Sequence, residues 1–354
     1  MHPAAEHHPL PLHLVGSLPP PLCADPVAAM SWFLRHRGDV PLTALPYERD
    51  PRWIIDWLTD GLAAVPALER VHDGESRDYE DMPRYRVREG HLLSPGDVAP
   101  GRPAQAEAAF AALAALDPPE PVRVQVGIPN ALDLALFAFG SVEAAQRHLP
   151  TVQAAVAGEV AQLAARWGDR VQLQLETPAV LISYHRTPRE AWPPLTAELV
   201  RQVTGVLAAA PHVRWVLHLC YGDLGHVPVF TPTDLEPAVE FLNALADAAL
   251  ERRTPMPVVH LPVTHGDAAP PTDPAFYGAL RRLRRGIAVI AGVVAENHPE
   301  QTRRALDLTA RALGGPVAGV AAACGYGRRT PAAAAANMAL AVRLVHERTP
   351  VRAA

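Results

Sequence analysis

The strongest constraint on the fold is the alternation of short apolar runs with longer helical patterns along most of the chain. Such runs are typical of parallel strands that are buried on both faces. We predict eight strands, at 13–17, 70–75, 122–128, 171–176, 214–220, 257–261, 287–294 and 317–323. Several of the helical patterns begin at Pro, Asp or Thr and stop at Gly, as helix ends favour. Alternating β and α segments with eight strands predict an α/β fold closed into a single (β/α)₈ TIM barrel.

The length of the chain suits one such domain. Its 354 residues, 49% of them hydrophobic, can bury a large core. We see no fixed-period repeat and no clear linker, and therefore predict one domain over 1–354. The stretches at about 18–69 and 76–120 exceed one loop and one helix, so they are predicted to be insertions: an extra helix and a Pro/Gly-rich excursion over the barrel mouth.

Composition excludes several classes of protein. The net charge of -5, without an Arg stripe interleaved with aromatics, makes nucleic acid an unsuitable partner. Apolar runs stop well short of the roughly 20 residues of a membrane span, and the amino terminus lacks the pattern of a signal peptide. Three widely spaced cysteines do not make a disulfide framework and fit a reducing compartment. We therefore expect a soluble, cytoplasmic protein.

The chain contains no lysine, so all 32 of its Lys/Arg residues are arginine. Schiff-base chemistry, a pyridoxal-phosphate lysine and a Walker A phosphate loop each need the lysine amine. These mechanisms are excluded.

Metal-binding side chains stand at the ends of predicted strands. His218 and Cys220 lie two residues apart in HLCYGD, so both point to the same face of their strand, and Cys324 ends the last strand. Groups at the carboxyl ends of barrel strands meet at one mouth, and thiolate with imidazole is a zinc signature. The alternative for both cysteines is a small buried apolar side chain, the role we assign to Cys23.

A fourth zinc ligand is predicted in the next strand and its loop. His260 is the first candidate and His265, in the loop, is the reserve. The alternative for His260 is a strand-end histidine that is hydrogen-bonded to the backbone.

Two carboxylates also end apolar runs, Glu75 in HDGESRDYEDM and Glu176 in LQLETPAV. A carboxylate placed there usually serves a cation, because its unpaired burial is costly. The pair could bind the ammonium group of an amino-acid substrate. The alternative for each is a structural salt bridge to arginine. Arg328 and Arg329, after Cys324, could hold an anion or be ordinary surface charge.

Six segments, in the same order and at similar spacing, resemble the carboxy-terminal catalytic barrel of cobalamin-independent methionine synthase, within the superfamily that includes uroporphyrinogen decarboxylase. HLVGSLP is similar to IGSFP, DGESRDYEDM to HGE…DM, and LETPA to IDEPA. HLCYGD is similar to HMCY, GVVAENHP to GVYDIHSP, and AACGYGRRTPAAAAANMALAV to DCGLKTR with its following helix.

The resemblance implies zinc held by His218, Cys220 and Cys324, and contacts to a homocysteine-like substrate from three residues: Ser17, Glu75 and Glu176. The catalytic histidine of the family falls at Asn297, with His298 one place further. The resemblance thus makes Asn297 and His298 the candidates for the catalytic residues, which would assist at the donor atom that releases the alkyl group.

The departures from the family concern the fourth ligand and the donor. The family has a glutamate ligand where this chain has VVHLPVTHGD, so a histidine would replace it. Ile182 stands at the place of a glutamate that contacts folate. The implied function is zinc-dependent alkyl transfer, most simply methyl transfer, to a small thiol such as homocysteine, from a small donor other than polyglutamyl methyl-folate.

Two thiolates favour this chemistry over hydrolysis, because they reduce the Lewis acidity of the zinc while a bound substrate thiolate stays nucleophilic. Two alternatives remain open from the sequence. One is a metal-free decarboxylase or lyase resembling uroporphyrinogen decarboxylase. The other is a non-catalytic protein that binds zinc or a small molecule.

Overall fold

A computed structural model of the chain describes residues 10–79, 81–222 and 224–348. Nine strands form in these residues. In chain order they are β1 (Leu45–Pro46), β2 (Leu68–His72), β3 (Arg84–Val87), β4 (Val124–Pro129), β5 (Val171–Thr177), β6 (Arg214–Leu219), β7 (Val258–Pro262), β8 (Val289–Val294) and β9 (Gly319–Ala322). Seven of them make one parallel sheet in the order β1-β4-β5-β6-β7-β8-β9. The α/β class is confirmed, and β4 to β9 overlap six of the predicted apolar runs.

The two edges of this sheet meet at Leu12. Leu12 forms one parallel bridge to Leu42, just before β1, and another to Val320 in β9. The Leu12 amide donates to the Pro41 carbonyl at 2.8 Å, and the His13 amide donates to the Val320 carbonyl at 2.8 Å. The predicted strand at 13–17 is therefore wrong, because pairing is confined to Leu12 and its neighbours. The sheet curls, and closure as a complete (β/α)₈ barrel stays a prediction that these bridges support.

The predicted barrel strand at 70–75 is also wrong. Its residues overlap β2, which pairs antiparallel with β3 in a separate two-stranded hairpin. The hairpin is exposed at Val71, which is 52% accessible, whereas Leu68 and Tyr85 are buried against the core. The partner of Leu12 on this side is Leu42, just before β1, and both Leu42 and β1 lie inside the stretch 18–69.

Helices follow the strands and cover the sheet. They are α1 (Pro20–Cys23), α2 (Pro26–His36), α3 (Trp53–Asp56), α4 (Arg102–Leu116), α5 (Ala131–Phe139), α6 (Val142–Trp167), α7 (Pro178–Arg186), α8 (Trp192–Leu207), α9 (Glu236–Arg252), α10 (Pro299–Leu313) and α11 (Pro331–Arg348). Their ends follow from local chemistry: the Asp25 carboxylate accepts from the Ala28 amide at 2.6 Å before α2, and α10 stops at Gly314 with φ +70°. Among the helices described, none has both the length and the apolar character needed to cross a bilayer.

A layer of buried polar side chains runs through the sheet towards its carboxyl end. The Gln172 amide donates to Gln125 at 2.8 Å, and His13 Nε2 lies 2.9 Å from the Gln174 oxygen. The Gln174 amide then donates to Glu176 Oε1 at 2.8 Å. Because side chains two apart share a face, the β5 residues Gln172, Gln174 and Glu176 form one row. This row ends in a carboxylate at the candidate site.

Candidate metal and substrate site

A cavity opens at the carboxyl ends of the parallel strands. Its polar lining comes from several strand ends: Ser17, Glu48, Asp133, Glu176, His218, Cys220, Cys324 and Arg328. Glu176 lies in β5 and His218 in β6, whereas Glu48 and Cys324 each follow a strand by two residues. The fold therefore collects into one cavity side chains that are far apart in sequence.

The predicted metal trio comes together there. Ligand atoms of His218, Cys220 and Cys324 all lie within 4.8 Å of one another. Around a tetrahedral zinc with Zn–S of about 2.3 Å and Zn–N of about 2.1 Å, ligand atoms are roughly 3.3–3.8 Å apart. Small side-chain movements would thus close the group on one ion. His218 and Cys220 are buried, Cys324 is half-buried, and no disulfide joins the cysteines. The donor set and its spacing fit zinc.

His260, the predicted fourth ligand, lies beside the metal trio and is hydrogen-bonded to one of its members. Its Nδ1 lies 2.7 Å from His218 Nδ1, and its Nε2 lies 2.9 Å from the Ala322 carbonyl oxygen. Both ring nitrogens are therefore engaged. The backbone hydrogen bond is the alternative that the sequence left open. Among the residues described, the metal-binding group holds neither His260 nor the reserve ligand His265.

The two histidines are buried as neutral rings. Burial lowers the pKa of His218 well below its ordinary value, and it lowers the pKa of His260 to about 4. A neutral imidazole keeps a lone pair that can bind a metal.

Two carboxylates face each other across Gly127. A Cβ added at Gly127 would come within 2.6 Å of Glu176 Oε1 and 3.3 Å of Glu48 Oε1, so a larger residue would displace them. Arg102 Nη1 lies 3.1 Å from Glu48 Oε1, and the Arg102 and Glu48 side chains are 6% and 12% exposed. Burial raises the pKa of both carboxyls, and the Arg102 cation opposes that shift in each. The two carboxylates thus form one wall of the cavity, and Arg102 is a cation that stabilises their charge.

Glu48 could not be identified as a site residue from the sequence. It stands in LPYERDP, two residues after β1, and β1 is only two residues long. Strand periodicity is invisible at that length, and the proline in the strand argues against one. The remaining signal was a carboxylate following the buried pair Leu45–Pro46.

The structure keeps Glu75 out of the cavity. Its side chain is 76% exposed and pairs with Arg77 at 3.4 Å. The salt bridge to arginine is the alternative that the sequence left open. Ser17 does line the cavity, and its carbonyl accepts from the Tyr326 amide at 3.0 Å. A Cβ at Gly327 would fall 2.6 Å from Ser17 Oγ, so Ser17 packs tightly against the loop of Cys324.

Asn297 and His298 lie outside the lining of the cavity. Asn297 is exposed, and His298 precedes α10 with its Nε2 3.2 Å from the Asp267 carbonyl oxygen. Their assignment as catalytic groups stays a prediction.

The neighbour of Asn297, Glu296, turns inward and anchors the Cys324 loop. Its Oε1 lies 2.9 Å from Arg329 Nε, and both side chains are at most 3% exposed. Arg329 Nη1 donates to the Gly325 carbonyl at 3.2 Å, and Asn337 Nδ2 donates to Glu296 Oε2 at 2.7 Å. Arg329 is therefore neither a surface charge nor an open anion site. It holds the loop that carries Cys324.

We expect Arg329→Leu to lower the free energy of unfolding by about 3–5 kcal/mol, because Glu296 would stay buried without its cation. Urea denaturation measures the loss. The control is Arg303→Leu: Arg303 pairs with Glu347, but these side chains are 40% and 41% exposed, so the loss should be under about 1 kcal/mol. Equal losses in the two variants would contradict the anchoring role.

Comparison with known proteins shows the type of fold. No protein-family model and no curated protein matches the sequence. A B12-independent methionine synthase from Shewanella sp. W3-18-1, solved in complex with selenomethionine, is similar with a TM-score of 0.61 and 11% identity over 96% of this chain and 98% of that chain. A putative vitamin-B12-independent methionine synthase from Listeria monocytogenes is similar with a TM-score of 0.50 and 12% identity, over 91% and 86%. At such identities the likeness shows the fold alone, and the fold is that of the B12-independent methionine synthase type.

Proposed function

We propose that the protein is a zinc-dependent alkyltransferase that methylates a small thiol such as homocysteine. The observation that carries the proposal is one cavity that contains both a zinc-type donor set and two half-buried carboxylates. Likeness to a methionine synthase solved with selenomethionine supports the same class of substrate. We also propose that the chain forms one barrel domain, closed at Leu12.

His218, Cys220 and Cys324 would hold the zinc. A zinc bound by two thiolates would keep a substrate thiol ionised and nucleophilic at neutral pH. Three protein donors leave one position of a four-coordinate site for that thiol.

The remaining polar groups would hold an amino acid. Glu176 and Glu48 offer negative charge to an α-ammonium group, so Glu48 takes the role that the sequence assigned to Glu75. Arg328 lines the same cavity. Its positive charge opposes the rise in the pKa of Glu48 and of Glu176, so it lies near both carboxyls. It is suited to receive the α-carboxylate of the substrate.

The donor would pack against the apolar wall of the cavity. This wall includes aromatic and aliphatic side chains: Trp53, Ile54, Tyr79, Met82 and Phe137. Such a wall suits a small donor with an apolar or flat group. We propose a donor other than polyglutamyl methyl-folate.

The test is a transfer assay with the zinc-loaded protein, homocysteine and one methyl donor at a time. The donors are a monoglutamyl methyl-folate, methylcobalamin and a methyl sulfonium, and mass spectrometry detects methionine. We expect zinc-dependent methionine formation with at least one donor. Formation of no methionine, together with no binding of homocysteine, would overturn the proposal. Full activity after removal of zinc would instead identify a metal-free enzyme.

A further inference from the structure

His260 and His218 are direct partners across two neighbouring strands. The register of β6 and β7 pairs His218 with His260, and their Nδ1 atoms are 2.7 Å apart. Two imidazole nitrogens can share a hydrogen bond only if one carries a proton and the other a lone pair. The direction of this bond therefore fixes the tautomer of both rings.

The Ala322 carbonyl decides the direction. A carbonyl oxygen only accepts, so His260 Nε2, at 2.9 Å from it, must carry the proton. A neutral imidazole has one N–H, which leaves His260 Nδ1 as the acceptor. His218 must then donate from Nδ1. Its Nε2 is left with the lone pair, the only nitrogen that can bind a metal.

The ring of His260 has little room to turn. A Cβ added at Gly292 would fall 2.8 Å from His260 Nε2, so β8 packs closely against it. The ring of His13 lies on another side, with centroids 5.6 Å apart. Because His260 is completely buried, an alternative tautomer would leave a buried polar nitrogen unpaired.

His260 also joins the two strands that carry the metal trio. It hydrogen-bonds to His218 in β6 and to Ala322 in β9, and Ala322 lies two residues before Cys324. One ring thus links the histidine side of the site to the side that contributes the second cysteine.

We propose that His260 is a positioning residue that holds His218 as the Nδ1–H tautomer, with Nε2 directed to the zinc. The tautomer stands on the hydrogen bonds alone, and the link to zinc rests on the proposed function. Removing the hydrogen-bond partner of a metal-binding histidine typically weakens metal binding by about 10–100-fold.

The first measurement uses zinc-free protein labelled with ¹⁵N at histidine. Long-range ¹H–¹⁵N correlation spectra distinguish the two tautomers, and we expect His218 to carry its proton on Nδ1. A proton on Nε2 of His218 would overturn the proposal without any variant. If the tautomer is as expected but the wild-type protein binds no zinc, the proposed function fails while the hydrogen-bond assignment stands.

The second measurement compares zinc affinity in two variants by competition with a chelator. His260→Leu removes the acceptor, and we expect about 10–100-fold weaker zinc binding and a mixture of His218 tautomers. In His260→Gln the amide oxygen can accept from His218 and the amide NH₂ can donate to Ala322, so affinity and tautomer should both recover. Wild-type affinity in His260→Leu would overturn the proposal. Equal losses in the two variants, with the tautomer unchanged, would show a merely structural role and overturn it as well.

Discussion

Serine in place of Cys220 or Cys324 is expected to reduce bound zinc from about one ion per chain to almost none. The sulfur atoms are two of the three donors that the fold brings together, and a serine hydroxyl is a poor zinc ligand at neutral pH. The affinity should fall by more than the ~10–100-fold that the loss of an outer partner costs. Elemental analysis after dialysis against a weak chelator measures the zinc content.

Cys23→Ser is the matched control for this prediction. Cys23 is buried in α1, its thiol donates to the Pro20 carbonyl at 3.5 Å, and it lies outside the metal group. This variant should bind zinc as the wild-type protein does. Full zinc content in Cys220→Ser or Cys324→Ser would contradict the assignment, and loss in all three variants would point to a general effect of cysteine replacement.

Glu176→Gln is expected to weaken homocysteine binding by roughly 10–100-fold. A hydrogen bond to a charged group contributes about 1.5–3 kcal/mol, and the glutamine removes the charge while it can still accept from Gln174. Titration calorimetry with the zinc-loaded protein measures the affinity. The loss should disappear with 4-mercaptobutanoate, which has the thiol and the carboxylate but no ammonium group.

The same carboxylates predict how the affinity for homocysteine changes with pH. Burial raises the pKa of Glu176 and of Glu48, so the pair takes up a proton at higher pH than an exposed carboxyl would. Protonation removes the charge that attracts an ammonium group. The affinity for homocysteine relative to 4-mercaptobutanoate should therefore fall as the pH is lowered from neutrality, and this dependence should be weaker in Glu176→Gln.

Glu75→Gln is the control among carboxylates, because Glu75 is exposed and outside the cavity. It should bind homocysteine with wild-type affinity. A large loss in Glu75→Gln, or none in Glu176→Gln, would contradict the substrate site described above.

The convergence of His218, Cys220 and Cys324 could be predicted, because the local sequence around each residue indicates its position in the fold. His218 lies in β6, Cys220 directly follows that strand two residues on, and Cys324 closes an apolar run, so the carboxyl-end rule of parallel barrels places all three at one mouth. The two hydrogen bonds of His260 could not be predicted in this way. They depend on the register between β6 and β7 and on the approach of Ala322, neither of which appears in the spacing of residues.

The sequence indicated Glu75, and not Glu48, as a residue of the cavity for a similar reason. The run at 70–75 has the composition of a strand, but its residues pair in an exposed hairpin, whereas β1 is too short to show a period. The criterion of a carboxylate at a strand end selects Glu75, whose side chain is exposed, and passes over Glu48, which lines the cavity. Likewise, the segment GVVAENHP indicated Asn297 and His298 as site residues. The side chain of this segment that points inward is Glu296, which forms an ion pair with Arg329.

The central claim is that the trio holds a zinc that takes up the substrate thiol, and X-ray absorption at the zinc edge tests it most directly. We predict a shell of two sulfurs with nitrogen or oxygen neighbours in the zinc-loaded protein, and one additional sulfur after homocysteine is added. A zinc shell that homocysteine leaves unchanged, in protein shown by calorimetry to bind homocysteine, would contradict the account.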